Sequence, residues 1–191
     1  MLFRSLNFGG KNYLIIDSLV KTNENKISQA KNLILDIRNN LGGYINCYFS
    51  ILPYACTGPI ISDASYLFCS DEVINDMEEV VNARYKKGDT VKAKQYETRL
   101  LKMKDKRGDF LFSPADTMQC VSKGKLPQNI AIITNYACMS AAEIMLLDFK
   151  QSAKVKIFGE KTAGALDYLN FKKIQLPSNK YSFMMATTKR T

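Results

Sequence analysis

The chain has 191 residues, 46% hydrophobic and 24% charged, with 27 Lys and Arg against 18 Asp and Glu for a formal charge of +9. That balance belongs to a globular chain and not a disordered one, and the length suits one domain with a sizeable core or part of a larger domain. The sequence has no histidine, which excludes a Ser-His-Asp triad, a Cys-His dyad or a His-ligated metal built from these residues alone.

The N-terminal stretch MLFRSLNFGG lacks a basic start followed by a long apolar run and does not read as a secretory signal. Residues 15–30 read as a helix. Leu33-Ile34-Leu35-Asp36-Ile37 is a near-continuous apolar run of strand length, the pattern of a strand buried on both faces of a parallel sheet. It runs into a glycine-containing loop, Arg38-Asn39-Asn40-Leu41-Gly42-Gly43. The apolar positions from Tyr44 to Leu52 predict a buried helix that stops before Pro53. The uncharged run 39–62 is interrupted by Gly42, Gly43, Pro53, Gly58 and Pro59, so no membrane-spanning helix is expected there.

Ser70 is placed to cap a helix whose first turns carry Asp71, Glu72 and Asp76, and whose apolar stripe is Val73, Met77, Val80 and Val81. Lys87-Gly88-Asp89 breaks that helix, and Thr90 is the expected cap of a second one. Residues 70–107 therefore read as a helical hairpin inserted in the main fold. Segment 82–107 holds ten Lys or Arg and three acids. Such clustering raises a nucleic-acid partner, but no aromatic and basic interleaving accompanies it, so a solvated helical face is preferred. Further on, Ile130–Thr134 reads as a buried strand, Ser140–Lys150 as a helix and Val155–Phe158 as another strand. Lys172–Leu176 and Tyr181–Thr187 read as two strands joined by the turn Pro177-Ser178-Asn179-Lys180. Strand, helix, strand points to an α/β core. The five cysteines form no CxxC, so neither a zinc nor a redox site is expected; disulfides are left open.

Two segments invite a chemical reading. In the Gly42-Gly43 loop, two glycines after a buried strand allow the backbone to approach a ligand and point an N–H at it; taken alone, an ordinary tight turn is the preferred reading. Ser140-Ala141-Ala142-Glu143 fits a capping box, with Ser140 as the cap and Glu143 reaching back to its amide, and that structural reading suffices alone. The same placement suits a nucleophile. A helix N-terminus offers unpaired N–H groups and partial positive charge to a developing oxyanion, and the Ala141 amide is its natural donor.

Three blocks, in order, resemble the catalytic core of the tail-specific, or C-terminal processing, serine peptidases and the related tricorn-type enzymes. They are Asn32–Gly43, with its Asp-x-Arg-x-Asn-x-Gly-Gly loop; Ile130–Glu143, ending in Ser-Ala-Ala-Glu; and Phe158–Gly164, a Gly-Glu-x-Thr-x-Gly loop. Asp167-Tyr168 and Leu176-Pro177 fit the tricorn-like branch. The resemblance implies an α/β core of the Clp-protease/crotonase type. It further implies Ser140 as catalytic nucleophile, an oxyanion hole from the backbone N–H groups of Ala141 and of Gly42 or Gly43, a peptide or protein substrate, no metal and no organic cofactor. It also implies an exported or envelope-associated parent protein, although no residue present shows export.

The resemblance breaks at the general base. The serine–lysine branch carries its lysine directly after the Gly-Glu-x-Thr-x-Gly loop, where this chain has Ala165; Lys161 does not match and reads as a surface residue. The tricorn-like branch draws on a histidine from an upstream strand, of which Leu2–Leu6 reads as the remnant, and on a downstream glutamate. The expectation is a fragment of a longer peptidase, lacking its base. Two alternatives stand beside it: a catalytically inactive peptide-binding relative, and, with less support, a basic nucleic-acid-binding module.

Overall fold

The computed structural model describes residues 1–191. The chain folds into two compact units, one built from Met1–Ser62 and Asp116–Leu166, the other from Asp63–Ala115 and Asp167–Thr191.

The first unit holds a four-stranded parallel sheet in the order β1-β2-β7-β8, with β1 at Leu2–Arg4, β2 at Asn32–Asp36, β7 at Asn129–Thr134 and β8 at Val155–Gly159. The apolar run read from residues 33–37 is the second strand of this sheet. Leu33, Leu35, Ile130 and Ile132 turn one face into a core shared with Ile16 and Val20 of α1 (Asn12–Thr22) and Met145 and Phe149 of α6 (Ala141–Phe149). Of Leu2–Leu6, read as a strand remnant, Leu2–Arg4 forms β1 and pairs in parallel with β2.

Two expected helices resolve differently. The helix expected over 15–30 is two, because α1 ends at Thr22 and α2 (Glu24–Gln29) starts after Asn23, whose side-chain amide donates to the Leu19 carbonyl at 2.9 Å. The helix expected to stop before Pro53 is a 3-10 turn, Ile45–Tyr48, followed by the short α3, Leu52–Ala55. Pro53 lies in the first turn of α3, where its missing N–H leaves no hydrogen bond unmade. A short antiparallel pair, β3 (Ile60–Ser62) with β6 (Asp116–Met118), and a disulfide between Cys56 and Cys120 join the two stretches of chain that flank residues 63–115.

The second unit holds an antiparallel sheet in the order β5-β4-β10-β9, from Phe110–Ser113, Ser65–Phe68, Ser182–Arg190 and Tyr168–Gln175. The helices α4 (Asp71–Lys86) and α5 (Thr90–Asp105) are the hairpin read from residues 70–107, and they belong with this sheet. Ile74, Val81, Leu100 and Met103 pack with Leu67 and Leu111 of the sheet. Ser70 caps α4, its hydroxyl accepting from Val73 N–H at 3.4 Å. The cap of α5 is Asp89 and not Thr90: the Asp89 carboxylate accepts from Lys92 N–H at 3.4 Å. Within the basic segment, Arg84, Lys104, Lys106 and Arg107 pair with Asp89, Glu78, Asp109 and Asp71. No helix is long and apolar enough to cross a membrane.

Candidate active site

Both segments singled out in the sequence leave the C-terminal ends of neighbouring parallel strands, β2 and β7, and this brings them together. A side chain on Gly42 would place its Cβ 2.9 Å from the Ser140 Cβ, 2.9 Å from the Ala141 nitrogen and 2.5 Å from the Met139 carbonyl oxygen. No side chain fits there. With φ at +83°, Gly42 also occupies backbone space that L residues disfavour. Gly43 is equally confined, since its Cβ would fall 2.3 Å from the Phe8 carbonyl oxygen. Gly42 is what allows the loop to lie directly on the Ser140 turn, and Gly43 is what allows it to pass against Phe8 and Gly9.

The loop is built from its own polar side chains. Asp36, buried at the end of β2, accepts from the Arg38 backbone N–H at 3.1 Å and from two guanidinium nitrogens at 2.9 and 2.8 Å. The hydrogen-bonded Arg38 side chain holds the Asp36 carboxyl below its ordinary pKa, against the opposing effect of burial. Asn39, in the left-handed region with φ of 63°, exchanges two bonds with Asn135. Its N–H donates to Asn135 Oδ1 at 2.9 Å, and Asn135 Nδ2 donates to Asn39 Oδ1 at 2.8 Å. Asn40, fully buried, donates to the Ser5 carbonyl at 3.2 Å, accepts from Gly42 N–H at 2.9 Å through its side chain, and accepts from Met139 N–H at 3.1 Å through its carbonyl. The buried Cys138 thiol donates to the Ile37 carbonyl at 3.0 Å. Asn39, Asn40 and Asn135 thus lace the two turns together.

Ser140 itself has φ of 55° and ψ of −122°, a conformation that costs a non-glycine residue of order 1–3 kcal/mol. It stands at the head of α6 in the reciprocal arrangement with Glu143, whose carboxylate accepts from Ser140 N–H at 2.9 Å. The two residues form a capping box, and the Glu143 N–H also donates to the Ser140 carbonyl at 2.8 Å. Ser140 is half-buried beside the glycine loop.

The candidate oxyanion donors separate. Gly42 is buried and its N–H is spent on Asn40 Oδ1. Gly43 is exposed. In the bridge between Phe8 and Gly43, Phe8 N–H bonds the Gly42 carbonyl at 2.9 Å and Tyr44 N–H bonds the Phe8 carbonyl at 2.8 Å, so the Gly43 N–H is not used. The Ala141 N–H, in the first turn of α6, likewise has no partner within the chain.

The loop 159–165 closes the other side of the Ser140 turn. Gly159, with φ of 108°, passes so close to Thr134 that a Cβ would sit 2.2 Å from its carbonyl oxygen. Glu160 N–H donates to that carbonyl at 3.2 Å, and Ala163 N–H donates to the Cys138 carbonyl at 2.9 Å. Gly164 and Ala165 N–H groups donate to the Glu143 carboxylate at 2.7 and 2.9 Å. Lys161 is exposed. No group of three or more Cys, Asp or Glu side chains converges to hold a metal ion.

The sequence points to Ser140, Ala141 and the glycine pair, but not to the bonds made by Asn40 and Asn135 or to those of Glu143 with residues 164 and 165. The local signal for Asn40 is its place in the Asp-x-Arg-x-Asn-x-Gly-Gly loop, and for Asn135 its position directly after β7.

The sequence profile of peptidase family S41 matches residues 6–180. Among solved structures, mature CPAF complexed with lactacystin is similar at a TM-score of 0.69 and 14% identity, over 98% of this chain and 42% of that one. The photosystem II D1 C-terminal processing protease is similar at 0.53 and 14%, over 100% of this chain and 37% of that one. A lipoprotein from Streptococcus agalactiae is similar at 0.50 and 18%, over 98% of this chain and 54% of that one. At these identities the likeness is one of fold, and the chain spans less than half the length of the first two proteins. No curated protein matches the chain.

Proposed function

The chain belongs to peptidase family S41, and from that premise we propose that it is a serine-type peptidase core that cleaves peptide bonds by acyl transfer through Ser140. The observation that carries the reading is the seating of Gly42 on Ser140, with 2.9 Å between a would-be Cβ and the Ser140 Cβ. An ordinary helix cap needs no such approach by a second loop.

In this reading the Ser140 Oγ attacks the scissile carbonyl carbon as its proton passes to a base. The oxygen of the tetrahedral intermediate takes hydrogen bonds from the Ala141 and Gly43 N–H groups at the positive end of α6. Collapse breaks the C–N bond, the leaving amine takes the proton, and water then releases the acyl group from Ser140. Loss of one such N–H donor costs ~100-fold or more in turnover in serine peptidases. Of the two glycines named from the sequence, Gly43 is the donor; the role of Gly42 is to bring the loop into contact, its own N–H being held by Asn40.

The base is the open element. An unassisted serine hydroxyl is a poor nucleophile. This sequence has no histidine, carries alanine at position 165 and has Lys161 exposed. We assign the base to a residue outside these 191, in line with the part share, 42% and 37%, that the chain covers of the two proteases it resembles. The competing reading, an inactive relative that binds peptides in the same cleft, draws on the Ser140 hydroxyl having no hydrogen-bonded base.

Treatment of the full-length protein with a fluorophosphonate, followed by mass spectrometry of the digest, separates the two. A single adduct on Ser140, abolished in Ser140→Ala, is expected. An active protein labelled at another residue contradicts the nucleophile assignment, and a fully inert protein supports the peptide-binding reading.

A further inference from the structure

Glu143 is a carboxylate with 2% of its surface exposed, and it takes part in no ion pair. Its charge is met by three peptide N–H groups. Oε2 accepts from Ser140 at 2.9 Å and from Ala165 at 2.9 Å, and Oε1 accepts from Gly164 at 2.7 Å. Charge-assisted bonds of this length are the strong class of hydrogen bond. A helix cap requires only the first of them. The other two reach a loop more than twenty residues away, and because Oε2 is shared, the Ser140 and Ala165 nitrogens lie within about 6 Å of each other.

We infer that Glu143 is a positioning residue for the nucleophile, a staple that makes the Ser140 turn and the end of the loop 160–165 a single rigid unit. The inference rests on Ser140 being the nucleophile. Two features give it weight. Ser140 holds a backbone conformation in the left-handed region, φ 55°, and Glu143 supplies the one acceptor for its N–H. The loop has other anchors, through Glu160 to Thr134 and Ala163 to Cys138, but at Gly164 and Ala165 its bonds to the turn run through Glu143 alone. Removing the carboxylate therefore frees the end of the loop and the Ser140 amide together, and leaves the rest of the loop attached. With the amide released, the turn relaxes and the hydroxyl drifts from the Ala141 and Gly43 donors.

The test uses the full-length protein with Glu143→Gln. Glutamine keeps the shape and one carbonyl oxygen but sets an NH2 group against a backbone N–H. Two quantities are read: amide hydrogen exchange at Ser140, Ala163, Gly164 and Ala165, and the rate of fluorophosphonate labelling at Ser140. Protection at Ser140, Gly164 and Ala165 is expected to fall together by about tenfold or more, with Ala163 and the β7 amides unchanged. The labelling rate falls in parallel, and in peptide hydrolysis kcat drops by about tenfold while KM stays within about twofold. Glu143→Asp, which keeps the charge on a shorter arm, recovers part of the labelling rate. Unchanged protection in Glu143→Gln overturns the staple, and lost protection with an unchanged labelling rate overturns its positioning role. If wild-type protein does not label at Ser140, the nucleophile assignment fails, and the exchange data still decide whether the staple exists.

Discussion

At Ser140 the backbone is held in a conformation that its own side chain opposes, with φ of 55°. Strain of this kind persists only where surrounding contacts impose it, and here they are the Glu143 carboxylate on the Ser140 N–H and Gly42 pressed against the Cβ. The stability cost is measurable. Ser140→Gly, which removes the side-chain conflict, is expected to raise the unfolding free energy by about 1 kcal/mol while abolishing fluorophosphonate labelling. Chemical denaturation reads the first effect; a destabilised glycine variant would mean that the strain is not there. Single residues were the most legible part of this molecule. Ser140, Ala141 and the glycine pair stand in short linear patterns whose chemistry is local. Asn40 stands in the Asp-x-Arg-x-Asn-x-Gly-Gly pattern, but its partners at Ser5 and Met139, like those of Glu143 at Gly164 and Ala165, are brought in by the fold and leave no mark in the neighbouring sequence.

Among elements, β2 and β7 carry the site because both end at it. Their apolar runs announce them, and a parallel pair must release its two chains at the same edge. Asp36 ties off β2. Its carboxyl is held below the ordinary value by Arg38, so it contributes stability that is present above the unfolded-state pKa, about 3.9, and is lost as pH falls through the lower folded value. Asp36→Asn is therefore expected to be less stable than the wild type at neutral pH, with the gap narrowing below about pH 4. Urea unfolding of the two proteins between pH 7 and pH 3 checks this, and a gap that does not change with pH contradicts it. Element ends are less legible than element types. Pro53, expected just beyond a helix end, lies in the first turn of α3, and the cap of α5 is Asp89 where Thr90 is expected. Proline suits a first helical turn as well as a helix end, and Asp89 and Thr90 are both cap-forming residues one position apart.

On the scale of the whole molecule, the division into two units was the least visible feature. The helices at 71–86 and 90–105 are plain in the sequence, but the sheet they pack against pairs Ser65 with Arg190 and Phe68 with Phe110. Antiparallel partners so far apart in the chain share no periodic signal, and the strands at 60–62, 65–68, 110–113 and 116–118 are short. The clustered charge at 82–107 was legible, but its pairing was not: cations of that segment are matched by acids from α4 and from the adjoining turns, which weakens the case for a nucleic-acid partner. What unites the first unit functionally is one juxtaposition, the glycine loop after β2 against the turn before α6. The most direct test of it is a crystal structure of the full-length protein carrying a phosphonyl adduct on Ser140. The phosphonyl oxygen is expected within about 3 Å of both the Ala141 and the Gly43 nitrogens, with the Gly42 N–H still on Asn40. An adduct oxygen pointing to solvent, or bound by neither amide, would contradict it.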